Sequence, residues 1–88
     1  MKKYYIKGDT KVLKKYGYGL ITDEGMPYYE KEIYSKSYDD DVEYSYINIG
    51  VETSLIVNVN TWTDENYDID FNDIKDLLLA GLVEERDE

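Results

Sequence analysis

Two adjacent stretches of alternating residues constrain the fold of this chain more than any other feature. They are "VEYSYINIG" (42–50) and "SLIVNVNTW" (54–62). Successive side chains of a β-strand point to opposite faces of the sheet, so this alternation predicts two half-buried strands. The "GVET" segment between them is typical of a turn. We therefore expect the two strands to pair as an antiparallel hairpin.

The hairpin should have one face toward a core and one toward solvent, as antiparallel sheets commonly do. The residues predicted to face the core are Ser45, Ile47, Ile49, Leu55, Val57 and Val59. The residues predicted to face outward are Tyr44, Tyr46, Asn48, Ile56, Asn58, Asn60 and Trp62.

A short helix is predicted in "GDTKVLKKYGYG". Asp9 or Thr10 can cap its first turn, and Gly17 stands where a left-handed glycine would end it. Its apolar face consists of Val12, Leu13 and Tyr16. A helix of about two turns is marginal alone, so we expect it to lie on a sheet.

A second helix is predicted near the C-terminus. Its apolar face consists of Phe71, Ile74, Leu77 and Leu78. Gly81 should end the helix, and Leu82 should pack back on its last turn. Residues 84–88 are expected to form a frayed acidic tail.

These elements predict an α+β fold. A strand at residues 4–7, a turn at Asp23, Glu24 and Gly25, and an extended segment at 28–35 complete the order β-α-β-β-β-α. We expect a small antiparallel sheet of about three or four strands with two short helices packed on one face. The 88 residues predict a single domain spanning positions 1–88.

The composition excludes several kinds of chemistry. The chain has no Cys and no His, which excludes disulfides, thiolate metal sites and Ser-His or Cys-His triads. Two carboxylates can suffice for a glycosidase, but 20 acids among 88 residues offer pairs everywhere, and the chain leaves little room for a sugar cleft. We expect no enzymatic activity, no cofactor and no metal.

The N-terminus predicts a cytoplasmic location. "MKKYYIKGDT" starts with basic residues but lacks the apolar segment of a signal peptide. No apolar run approaches the roughly 20 residues that span a bilayer.

The charge is unevenly distributed. Residues 1–15 hold six Lys and one Asp, which sum to +5, whereas residues 16–88 hold four Lys or Arg and 19 acids, which sum to −15. A nucleic-acid-binding protein should show a basic surface, and anionic membranes attract basic segments. We therefore expect no direct nucleic-acid or membrane binding, and a partner that is basic.

The acidic run after Asp64 could be a calcium loop. Asp64, Asn66 and Asp68 match the first three ligand positions of an EF-hand loop. However, Ile69 replaces the glycine of the sharp turn, and Lys75 stands where a bidentate Glu is needed. Specific calcium binding is not expected.

A helix start explains part of the same run. Asp70 or Asn72 can be the N-cap, and Asp73 in the first turn is favoured by the helix dipole. Other acids have no such structural reason, namely Asp39, Asp40, Asp41, Asp64, Glu65 and Asp68.

Tyrosine is abundant, with 11 residues against one Phe and one Trp. A thin fold can use Tyr both in its core and on its surface, and Tyr is also enriched at protein interfaces. Base stacking would need Lys or Arg between the aromatic residues, but Asp, Glu, Ser and Asn stand there.

In general character the whole chain resembles the small acidic orphan proteins of phages and prophages of low-GC Gram-positive bacteria. The ending "DIKDLLLAGLVEE" is the stretch most similar to them. Some such proteins are inhibitors of host defence, including anti-CRISPR proteins, and many of those mimic DNA with acidic side chains. The resemblance carries no functional residues over, and the Lys-rich start departs from a wholly acidic mimic.

Two functional hypotheses follow. In the first, the protein is a phage-type inhibitor in the host cytoplasm that binds a basic, nucleic-acid-binding surface of a host protein, such as a nuclease. The candidate contact residues are Asp39, Asp40, Asp41, Glu43, Tyr44, Tyr46, Trp62, Asp64, Glu65, Asp68 and Asp70. In the second, it is a structural or assembly protein that forms a homodimer by pairing its basic start with acidic residues of another copy, and its acidic surface serves solubility.

Overall fold

The computed structural model describes residues 1–22 and 25–88, with only the backbone at positions 63 and 64. The strands are β1 (Lys2–Ile6), β2 (Gly19–Ile21), β3 (Tyr28–Ser37), β4 (Val42–Gly50), β5 (Leu55–Asn60), β6 (Thr63–Asn66) and β7 (Val83–Asp87). A 3₁₀ helix spans Thr10–Tyr16, and a 3₁₀ turn at Phe71–Ile74 leads into helix α1 (Lys75–Leu79). The predicted α+β class is confirmed, whereas the turn predicted at Asp23 and Glu24 lies outside the described residues.

The sheet is larger than predicted. In the described residues, seven strands form one sheet in the order β2-β3-β4-β5-β1-β7, and β6 also pairs with β5. The expected number of about three or four strands was therefore too low. The additional strands β2, β6 and β7 are short or highly charged. Strands at the margin of a sheet are often of this kind, and they lack the apolar alternation that reveals a half-buried strand.

The predicted hairpin is present as β4 and β5, but the two faces of β5 are exchanged. Ile49 lies opposite Ile56, and Asn48 lies opposite Val57. Side chains at opposed positions share a face, so Ile56 faces the core, and Leu55, Val57 and Val59 do not. The prediction for β5 was wrong because a register shift of one residue turns every side chain of a strand over.

The hairpin turn explains this register. The Ser54 N–H donates to the Gly50 carbonyl at 2.9 Å, and Ser54 adopts a left-handed φ of 60°. This conformation is uncommon for residues other than glycine, and the alternation of the strands does not indicate it.

The charged C-terminus forms an ordered strand. Residues 84–88 were expected to fray, but β7 pairs with β1 in a register that aligns Tyr5 with Glu84 and Lys2 with Asp87. The Lys2 ammonium lies 3.7 Å from the Glu85 carboxylate. The basic start and the acidic end of the chain thus provide opposite charges across two neighbouring strands, which favours their pairing.

The helix ends follow the predicted pattern. Asp9 accepts a hydrogen bond from the Lys11 N–H at 2.9 Å, and Gly17 ends this helix with a φ of 87°. After α1, Gly81 has a φ of 72°, and the Leu82 N–H donates to the Leu77 carbonyl at 3.0 Å. This hydrogen bond is that of a Schellman motif. In the described part of the chain, no helix is long and apolar enough to cross a membrane.

Both helical segments cover the same face of the sheet, which we call the helix face. The core residues on this side are Ile6, Leu13, Tyr18, Tyr29, Ile47, Ile49, Ile56, Ile74 and Leu77. Leu77 is completely buried, as predicted. Val57 is also buried, with 7% exposure, but it lies outside this cluster on the opposite side, which we call the open face.

Candidate protein-interaction surface

Residues 38–41 connect β3 to β4 and form an acidic loop. The Tyr38 N–H donates to the Asp41 carbonyl at 2.7 Å, and Asp41 Oδ1 accepts from the Val42 N–H at 2.8 Å. These bonds close the loop tightly. The side chains of Asp39, Asp40 and Asp41 are exposed, and within the described part of the chain none of them forms an ion pair.

Two exposed aromatic rings lie next to each other here, one in the acidic loop and one beside it. The centroids of Tyr38 and Trp62 are 5.0 Å apart, and the Lys36 ammonium lies 5.4 Å from the Tyr38 ring. Trp62 is 49% exposed, and its backbone N–H donates to Asn60 Oδ1 at 2.9 Å. We call the acidic loop together with Trp62 the acidic end of the sheet.

The turn that carries Trp62 is held against β4. The Thr61 N–H donates to the Tyr44 carbonyl at 3.0 Å, and the Tyr44 N–H donates to the Thr61 hydroxyl at 3.1 Å. These bonds place Trp62 next to the acidic loop. Tyr38 was not among the predicted contact residues, although its position directly before three aspartates could have indicated it.

Glu43 is turned away from this surface. It is half-buried on the helix face, where its carboxylate accepts from Asn60 Nδ2 at 3.1 Å. Asn58 Nδ2 donates to the Ser45 hydroxyl at 3.1 Å in the same row. These polar contacts continue the helix face beyond its apolar core and give Glu43 a structural role.

Tyr44 and Tyr46 lie on the open face. Their rings stack with centroids 6.2 Å apart and an interplanar angle of 22°. Burial raises the pKa of Tyr46 above its ordinary value, and the carboxylates of Glu32 and Glu30 raise it further. The Tyr46 ring therefore stays neutral, and the two rings offer contact area in an acidic environment.

Asp68, a member of the second predicted group of acids, lies far from the acidic loop. Asp68 lies near Tyr4. Burial raises the pKa of the Tyr4 hydroxyl, and the negative charges of Glu85 and Asp68 raise it further. Tyr4 pairs with Ile56 and hence lies level with Ile49, seven residues along β4 from Val42. At about 3.3 Å per strand residue, Asp68 is on the order of 20 Å from the acidic loop. Asp64 and Glu65 lie closer, because β6 begins directly after Trp62 and Thr63 pairs with Asn60.

The residues of this second group have different roles. Asp70 caps the 3₁₀ turn, because its carboxylate accepts from the Asn72 N–H at 2.9 Å. Glu65 and Asp68 are exposed, and the side chain of Asp64 lies outside the described residues. Among the described residues, no group of three acids is arranged to hold a metal ion.

No protein family, no curated protein and no solved structure matches this chain. The acidic end joins five of the chain's exposed side chains, which are Tyr38, Asp39, Asp40, Asp41 and Trp62. Carboxylates around partly exposed aromatic rings are suited to binding a basic protein surface, because the rings supply area and the charges supply complementarity.

Proposed function

We propose that this protein is a non-enzymatic inhibitor of the phage type, which binds a basic, nucleic-acid-binding surface of a host defence protein through the acidic end. The observation that supports this most is the placement of Asp39, Asp40 and Asp41 beside Tyr38 and Trp62. DNA carries one negative charge per about 1.7 Å of its axis, so closely spaced carboxylates on a hydrogen-bonded loop can compete for the same surface.

The Lys-rich start is not an obstacle to this function. The N-terminal amine lies 3.4 Å from Asp87 Oδ1, and the Lys3 ammonium lies 3.9 Å from Glu88 Oε2. The first lysines are thus partly neutralised within the chain by β7. The same pairs leave less basic charge for acidic residues of a second copy, which disfavours the charge-paired homodimer.

A capture experiment tests the proposal. The immobilised protein is incubated with lysate from a low-GC Gram-positive bacterium, and the column is eluted first with a short DNA duplex and then with salt. We expect the duplex to release a bound protein, because both ligands would occupy one basic site.

Matched variants make this experiment specific. Asp39→Asn, Asp40→Asn and Asp41→Asn together should abolish the capture. The control variant carries Lys11→Gln, Lys14→Gln and Lys15→Gln at exposed positions of the N-terminal helix. These changes alter the net charge by the same number of units in the opposite direction, and they should leave the capture intact. Capture that resists the duplex, or that the Asp variant retains, would contradict the proposal.

A further inference from the structure

An open groove runs along the open face. It has a volume of about 400 Å³, and its apolar floor consists of Leu55, Val57 and Val59. These side chains lie two residues apart on β5 and therefore point to the same side. Because both helical segments pack on the helix face, neither of them fills this groove.

Apolar side chains and one amide form the walls of the groove. Met26, which is 59% exposed, and Pro27 line it together with Asn48. An exposed methionine beside aliphatic residues is an adaptable apolar contact, since its side chain is unbranched and flexible.

The rim of the groove is acidic. Glu52 and Glu65 line it, and both are exposed. Glu30 is close by, because the Asn48 amide, in the orientation that satisfies its hydrogen bonds, donates to Glu30 Oε2 at 3.0 Å. None of the described lining residues is Lys or Arg.

Two basic residues that lie on the open face, on β1 and β7, are already engaged. Arg86 Nη2 donates to Glu84 Oε2 at 2.9 Å, and its guanidinium lies 4.0 Å from the centre of the Tyr5 ring. Lys3 pairs with Glu88 and lies 4.8 Å from the Tyr67 ring. Neither of these two cations is therefore free to pair with the carboxylates at the rim.

We propose that the open-face groove binds a segment of a partner protein in which apolar side chains alternate with Lys or Arg. The partner's apolar side chains pack on Leu55, Val57 and Val59, and its basic side chains pair with Glu52 and Glu65. A second copy of this chain does not fit, since each copy carries a formal charge of −10 and would bring one acidic rim against another. This inference goes beyond the proposed function, because it concerns a different surface and does not require the acidic end.

Two labelled peptides test it by fluorescence anisotropy at physiological salt. One alternates Lys with Leu, and the other has Ser in place of every Leu and hence the same charge. We expect the Lys-Leu peptide to bind about tenfold more tightly than the Lys-Ser peptide, because only the first can use the apolar floor. Equal binding would contradict the inference, since it would reflect only the net charge.

Matched protein variants locate the site. The double variant Glu52→Gln with Glu65→Gln should lower the affinity for the Lys-Leu peptide about tenfold. The control variant, Asp39→Asn with Asp40→Asn, removes the same charge at the acidic end. It should change the affinity for the Lys-Leu peptide less than about twofold, because salt screens charges beyond about 8 Å. Equal losses from the two double variants would overturn the inference.

The apolar contact has its own variant and readout. Met26→Ser should lower the affinity for the Lys-Leu peptide but not for the Lys-Ser peptide. Met26 is exposed enough for the change to leave the fold intact. Amide chemical shifts should move at Asn48, Val57 and Val59. Shifts centred on the acidic loop, or a homodimer that protects Leu55 and Val59, would refute the proposed occupant.

Discussion

Ile56 lies directly opposite Ile49 in the β4–β5 hairpin, and both side chains are completely buried on the helix face. This pair determines the orientation of the whole of β5. Ile56 enters the core beneath the helical segments, whereas its neighbours Leu55 and Val57 belong to the open face. The core and the open-face groove thus depend on the same register.

Truncating the two neighbours should therefore have unequal effects. Ile56→Ala should lower the free energy of unfolding by about 2–5 kcal/mol, because it leaves a cavity in the core. Leu55→Ala removes the same number of carbon atoms from a partly exposed position and should cost clearly less. Urea denaturation of both variants measures the difference, and a larger loss for Leu55→Ala would mean that the opposite face of β5 is buried.

The C-terminal strand should contribute to stability. Deleting residues 84–88 removes most of the β1–β7 ladder and the hydrogen bond from the Tyr5 hydroxyl to Glu88 Oε1 at 2.7 Å. With several backbone hydrogen bonds lost, we expect a decrease of about 2–4 kcal/mol in the free energy of unfolding. An unchanged thermal midpoint would instead be the behaviour of a frayed tail.

Much of the local structure could be predicted from single residues. Asp9, Gly17, Asp70 and Gly81 indicate their helix ends, because each position requires a capping oxygen or a left-handed backbone. The pairing of β4 with β5 also follows from their alternation. These features depend on neighbouring residues alone and hence are visible in the sequence.

The faces of β5 and the charged strand β7 could not be predicted in this way. The register depends on a turn in which Ser54 is left-handed, and both faces of β5 carry apolar side chains. β7 is stabilised by a partner at the other end of the chain, which no local pattern reveals. Of the predicted contact residues, Asp39, Asp40, Asp41 and Trp62 lie together at one end of the sheet, whereas Glu43 and Asp68 lie elsewhere.

Asp73 should make stability depend on pH. Burial raises the pKa of its carboxyl, and the nearby Asp70 raises it further. A carboxyl whose pKa is raised in the folded state stabilises the fold when protonated, and this contribution is lost as the pH rises through the folded pKa. The free energy of unfolding of Asp73→Asn relative to wild type should therefore increase from pH 3 toward pH 6.

The measurement of that difference needs a charge control. Asp40→Asn also removes one negative charge, so it corrects for the general repulsion of an acidic protein. Chemical denaturation of the three proteins across this pH range gives the comparison. A relative stability of Asp73→Asn that falls with rising pH would show that the charged carboxylate is favoured in the folded state.

The affinity of the acidic loop for the captured partner tests the central claim most directly. Calorimetric titrations should compare wild type with the Asp39→Asn, Asp40→Asn, Asp41→Asn variant, and with the Lys11→Gln, Lys14→Gln, Lys15→Gln variant as the control. We expect the Asp variant to bind at least about tenfold more weakly, which is about 1.4 kcal/mol, and the Lys variant to bind no more weakly than wild type. An Asp variant that binds at low salt with the affinity of the wild type would contradict the account.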